Sequence, residues 1–209
     1  MESKLCRKLV KGLLSTRDYS GCTIVCGSDQ HLVHKAIICP QSPFFKAAFA
    51  HDMKENATGT VNLEEDDPEV VKTMVYYFYH NDYQAPPRNS GCESNNNSIG
   101  TVQPPGPNLL HHSRVYALAE KYGIPSLKVL AVKKFTDETN HWRKHEDFAK
   151  AAREIYTATP DHDRGMRDAV VDTIRVYRDL LDDDDIESVL RDTRLAYDLV
   201  IDLRDDPEY

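Results

Sequence analysis

The chain has 209 residues, 40% of them hydrophobic, and a net charge of −8. That length is enough to bury the core of one domain or two small ones, and the composition excludes a globally disordered chain. No apolar run approaches the roughly 20 residues needed to cross a bilayer. The charge is uneven: residues 179–209 carry twelve Asp and Glu against three Arg, a local −9, so the other 178 residues sum to about +1. Without a basic face to meet phosphates, neither nucleic acid nor membrane is an expected partner. Five cysteines, an odd number without regular spacing, fit a reducing compartment. The first twenty residues lack the apolar stretch of a secretory signal. The expectation is an intracellular protein of cytoplasm or nucleus.

In chain order, residues 1–14 read as an amphipathic helix, with Leu5, Leu9 and Leu13 four apart among Lys4, Arg7, Lys8 and Lys11. A mitochondrial presequence has the same pattern, but strand-like sequence follows here without a spacer for cleavage. In "CTIVCGSDQHLVH", alternation over 22–26, turn residues Gly27-Ser28-Asp29 and a second run at 30–33 predict a β-hairpin. Ser42 and Pro43 open a helix as cap and first residue. In it Phe44, Phe45, Ala48 and Phe49 have the spacing of core. A third strand is expected at 60–63 and a helix from Pro68, with Val71, Val75, Phe78 and Tyr79 on one side.

Residues 84–108 hold five prolines and five asparagines with no apolar period, the composition of a flexible surface insertion. A helix resumes at Leu109; Gly123 stops it and Pro125 starts the next. Helices are expected at about 145–157, 163–178, 184–191 and 194–203. In them Phe148, Ile155, Tyr156, Val170, Ile174 and Tyr177 have core spacing.

The chemical constellations are weak. In an extended strand Cys22 and Cys26 stand about 13 Å apart, too far for a disulfide or a shared zinc. His31, His34 and Cys39 make no ligand set, since the two histidines fall on opposite strand faces. Asp182 to Asp185 read as a helix start that opposes the positive dipole end rather than a magnesium site. His111, His112 and Ser113 are neighbours in a helix and point apart. With no phosphate loop and no nucleophile elbow, no catalytic residue, cofactor or metal ligand is expected. Met53, among His51, Asp52, Lys54 and Glu55, leaves two readings open: an adaptable contact for a partner, or a loop with a half-buried methionine.

The ordered set "VHKAIICPQSPFFKAAFAHDMKEN", "VNL", "DDPEVVKTMVYYFYHNDY" and "VYALAEKYGIPSLKVLAVKKF" resembles a BTB/POZ domain. The resemblance rests on His34-Lys35, Ser42-Pro43-x-Phe45, the aromatic run ending at Tyr79, and Ala119-x-x-Tyr122. "YSGCTIVCG", "RVYALAEKYGI" and "TPDHDRGMRDAVVDTI" are similar to short fungal members. The implied fold class is α+β: a small sheet flanked by helical hairpins over 15–137, interrupted at 84–108, then an all-helical extension with an acidic tail over 138–209. The resemblance also implies protein–protein association.

Many members homodimerise, for which Leu5, Leu9, Leu13 and Lys35 are the candidates. Others act as substrate adaptors that bind the N-terminal helices of the type-3 cullin of a RING ubiquitin ligase. Met53-Lys54-Glu55 matches their hydrophobic-x-Glu motif, making Met53 and Glu55 the cullin candidates. The extension either caps the BTB core or lengthens a cullin groove. Gly21 stands where the family often has Asp, so Lys35 is expected to be exposed or to find another partner, such as Asp18. The functional expectation is a non-enzymatic, self-associating module linking an unidentified target to the cullin. The alternative is an oligomerisation scaffold without a ligase role, in nuclear or transcription-related complexes.

Overall fold

The computed structural model describes residues 2–50, 53–86 and 107–205, and of residues 2–7 and 205 the backbone alone. Most of the expected insertion, residues 87–106, lies outside the described residues. The elements are α1 (Glu2–Thr16), β1 (Cys22–Cys26), β2 (Asp29–Val33), α2 (Lys35–Ile38), α3 (Pro43–Ala48), α4 (Lys54–Thr58), β3 (Thr60–Asn62), α5 (Pro68–His80), α6 (Leu109–Lys121), α7 (Pro125–Trp142), α8 (Glu146–Ala158), α9 (Gly165–Val176), a 3-10 turn (Arg178–Asp182), α10 (Asp184–Asp192) and α11 (Leu195–Asp205). α7 runs without a break through residues 137 and 138, where the helical extension was expected to begin.

β1 is central in a three-stranded sheet, antiparallel to β2 (Cys22 opposite Val33) and parallel to β3 (Ile24 opposite Val61). The hairpin loop is Gly27-Ser28 alone, and Asp29 already pairs with Cys26. Gly27 takes the positive φ of 55° that so tight a connection requires. The alternating residues Cys22, Ile24 and Cys26 face inward and are buried. The two thiols donate separately to the Val33 and Asp66 carbonyls, at 3.4 and 3.2 Å. Burial pushes the Cys22 thiol up to about 11, so it stays protonated at neutral pH.

Capping follows local chemistry. Ser42 Oγ accepts from Phe45 N at 3.2 Å and donates to Tyr122 O at 2.6 Å, so the cap of α3 also fastens it to the end of α6. Asp67 caps α5, and Asp183 caps α10 by accepting from Asp185 N and Ile186 N. The acidic run is therefore a helix start, as its position before "IESVL" implies.

The core runs from the sheet through Phe45, Met74 and Phe78 to Tyr116, Leu127 and Phe135, and on into the extension at Phe148, Ile155, Val170 and Ile174. Of the six extension residues with core spacing, Tyr177 alone is only half-buried; it carries the Arg143 guanidinium over its ring at 3.8 Å.

A polar knot joins the extension to α6 and α7. Tyr116 Oη donates to Asp163 Oδ1 at 2.5 Å, and Lys128 Nζ donates to Asp163 Oδ2 at 2.8 Å and also to Glu120. Gly165 lies against this knot, so that a Cβ there would fall 2.6 Å from Tyr116 Oη. Gly165→Ala is expected to displace the phenol, loosen its bond to Asp163 and destabilise the chain by about 1–3 kcal/mol. A urea midpoint unchanged from wild type would contradict this.

Candidate interaction surface

Met53 sits in extended backbone (φ −95°, ψ 143°) as the residue that starts α4, and Glu55 is in its first turn. The sequence placed Met53 beyond the preceding helix, as a partner contact or as part of a loop; the structure makes it the N-cap of a further short helix. Gly59 ends α4 in the left-handed region (φ 68°) and turns the chain directly into β3. Met53 is therefore carried between α3 and β3.

Beside it lies a groove of about 550 Å³, walled by Phe44, Ala47 and Ala48 of α3, Met53, Glu55 and Val61. Met53 is 47% exposed. Glu55 is half-buried, and among the described residues its carboxylate has no hydrogen-bond or ion-pair partner.

The aromatic pair divides. Phe45 is fully buried, with the Phe78 and Tyr122 rings each at 5.8 Å. Phe44, expected in the core with it, is 39% exposed; one edge meets Tyr122 at 4.7 Å and the rest lines the groove. The reason is angular. Phe45, Ala48 and Phe49 are spaced i, i+3 and i+4 on one stripe, while Phe44 is offset by one residue and shares its side with alanines alone. That offset is the signal in the sequence that separates them.

Lys35 does not pair with Asp18. Its Nζ donates to Asn56 Oδ1 at 2.8 Å and lies 4.6 Å from the centre of the Phe49 ring. Asn56 follows the Met-Lys-Glu triplet directly, so α4 supplies the partner that Gly21 cannot. Asp18 instead serves His34, whose Nε2 stands 2.7 Å from its carbonyl. A carbonyl only accepts, so Nε2 carries the proton; in the neutral ring Nδ1 then accepts from Tyr79 Oη at 2.8 Å. Tyr79 Oη also accepts from His34 N at 3.0 Å. The buried His34 thus staples the segment before β1 and the start of α2 to α5.

On α1, Val10, Leu13 and Leu14 are half-buried against the core, whereas Leu9 is 64% exposed. The expected stripe is therefore split, with Leu13 turned inward and Leu9 outward; the side chain of Leu5 lies outside the described residues. Leu32 and Tyr76, both exposed, line a cleft together with Leu14 and Val75.

The two histidines considered for catalysis are engaged in packing bonds. His111 Nε2 meets Thr73 Oγ1 at 3.1 Å, and His112 lies between Tyr83 Oη at 2.8 Å and Glu138 Oε1 at 3.3 Å. Burial raises the Tyr83 phenol far above its ordinary range. The hydroxyl of Ser113 is buried and meets neither histidine. Among the described residues no three His, Cys, Asp or Glu side chains cluster as metal ligands, and no helix is long and apolar enough to cross a membrane.

Comparison with known proteins gives these features a family. The BTB/POZ domain family matches residues 10–98. TD and POZ domain-containing proteins 4 and 1 of Mus musculus are 29% and 30% identical to the chain over 115 residues, which is 54% of this chain and 25% of each relative. The chain thus spans about a quarter of the length of the curated relatives it matches. Among solved structures, the BTB domain of human gigaxonin is 16% identical with a TM-score of 0.43, over 62% of this chain and 90% of that one. The three-stranded sheet with its flanking helices, the stapled His34, the Ser42 cap and the match over 10–98 agree: the chain carries a BTB/POZ domain, a protein–protein interaction module.

Proposed function

We propose that the chain is a self-associating adaptor whose Met53–Glu55 face takes the N-terminal helices of a type-3 cullin and so brings a target protein to a RING ubiquitin ligase. The observation that carries this reading is the groove between α3 and β3, where an exposed methionine and phenylalanine flank a carboxylate that has no partner among the described residues. An amphipathic helix laid there would cover Met53 and Phe44, each worth about 1.5–3 kcal/mol if fully buried. Glu55 would accept charge-assisted hydrogen bonds from a cationic side chain on the partner. The reading places the protein in the cytoplasm or nucleus, in keeping with the free thiols of Cys22, Cys26 and Cys39.

Calorimetric titration of the full chain with the N-terminal domain of a type-3 cullin tests it. Binding at micromolar affinity or tighter is expected, weakened about tenfold or more by Glu55→Lys, with the melting temperature unchanged. No heat from a folded chain, or equal affinity for Glu55→Lys, would refute the adaptor role.

The second reading, an oligomerisation scaffold without a ligase, draws support from the outward Leu9 on α1 and from the exposed Leu32 and Tyr76. A dimer in sedimentation experiments together with a silent cullin titration would favour it.

A further inference from the structure

A second groove, of about 540 Å³, lies where α5 and α6 meet α8. Its apolar lining is Val70, Ala117 and Leu118, with the exposed Ala158 at the end of α8 and Pro160 just after it. Its rim is acidic: Glu65, Asp66, Asp67, Glu120 and Glu154 against Arg114 and Lys121 alone. Both cations are engaged. Lys121 Nζ holds Asp66 at 2.8 Å, while Arg114 lies 3.2 Å from Asp67 and 3.9 Å from Glu154, spanning the groove from the cap of α5 to α8. Glu120 is neutralised by Lys128, but Glu65 has no partner among the described residues, so the rim keeps a negative excess. The chain thus already lays one guanidinium of its own between carboxylates of two elements.

We propose that this groove binds an extended, lysine- or arginine-bearing segment of the target protein, a partner distinct from the one at Met53. The two grooves differ in chemistry. The Met53 groove has one carboxylate and one lysine on mostly apolar walls. The second keeps a net negative rim beside apolar lining, with Glu65 unpaired among the described residues and Glu154 only 3.9 Å from Arg114, which suits cationic residues alternating with small apolar ones. Two walls, α6 and α8, come from beyond the residues matched to the BTB/POZ family, and α8 is part of the helical extension, so the extension completes the groove. It does not depend on the cullin assignment, since a scaffold without a ligase would keep the same groove.

Panning a random dodecapeptide library against the full chain tests the proposal. The expected clones carry Lys or Arg beside apolar residues. As synthetic fluorescent peptides, they should lose affinity about tenfold or more on both Glu154→Lys and Glu65→Lys. They should also weaken as salt rises from about 0.05 to about 0.3 M. The cullin N-terminal domain should leave them bound. A failure to recover clones, clones without basic residues, wild-type affinity for either variant, or displacement by the cullin domain would each overturn it. Glu65 is exposed and Glu154 half-buried, thermal melting checks that each variant is folded, and either one alone decides the outcome.

Discussion

Truncation of Phe45 to alanine is expected to destabilise the chain by about 3–5 kcal/mol, while the same change at Phe44 costs about 1 kcal/mol. Phe45 leaves a cavity beneath Phe78 and Tyr122, at a point where the rings are held from both sides: Ser42 ties α3 to the Tyr122 carbonyl, and Gln41 Nε2 donates to the Phe78 carbonyl at 3.0 Å. So constrained a site does not collapse to fill the void, which puts the cost at the high end of such truncations. Phe44 already spends part of its surface in water and loses mainly an edge contact with Tyr122. Urea denaturation of the two variants gives the comparison directly; equal midpoints would contradict the division of labour between the rings. Because Phe44 walls the Met53 groove, Phe44→Ala is also expected to weaken cullin binding in a chain that remains folded.

Arg167→Ala is the second large effect expected, about 2–4 kcal/mol by urea denaturation, from a stranded carbonyl and an unfilled void. This arginine is 2% exposed, on α9. Its Nη2 donates to the Thr159 carbonyl at 2.8 Å, Nε reaches Thr159 Oγ1 at 3.4 Å, and Nη1 binds Asp161 at 3.1 Å, while the guanidinium lies 4.7 Å from the centre of the Tyr156 ring. It therefore satisfies a carbonyl left over at the end of α8 and places positive charge at the negative end of that helix. Alanine removes the bonds and leaves a void.

Arg167→Met fills most of the volume but still strands the Thr159 carbonyl, and is expected to cost about 1–3 kcal/mol. If methionine and alanine proved equally destabilising, packing would contribute little and the hydrogen bonds would account for the whole effect. Nearby, Tyr156 Oη and Arg164 both bind Asp198 of α11, at 2.8 and 2.6 Å, so loss of Arg167 is expected to loosen the docking of α11 as well.

Much of this architecture was legible along the chain. Ser42-Pro43 and Pro68 open α3 and α5 where expected, Gly123-x-Pro125 separates α6 from α7, and the acidic run starts α10. Alternation at Cys22, Ile24 and Cys26 placed the central strand, and the ordered motifs around His34, Ser42, Tyr79 and Tyr122 pointed to the BTB/POZ family. The errors in element bounds are short-range. The second strand starts one residue early, at Asp29, and α4 escaped notice because five residues are too few to show a helical period. At the candidate site the sequence identified Met53 and Glu55 but not Phe44, and it named Asp18 where Asn56 is the partner of Lys35.

What the sequence determined by itself is what local forces set: helix caps from side-chain oxygens, turns from glycine and proline, and buried faces from periods of two and 3.6 residues. These depend on neighbours within about one turn of chain. Tertiary structure alone decided which way Leu9 and Leu13 turn, where Lys35 finds its acceptor, and that carboxylates from the loop before α5, from α6 and from α8 share one groove. Each of those outcomes depends on segments far apart in the chain reaching the same place. Periodicity can say that a face is buried, but the partner and the charge across from it are set only when the chain has closed on itself.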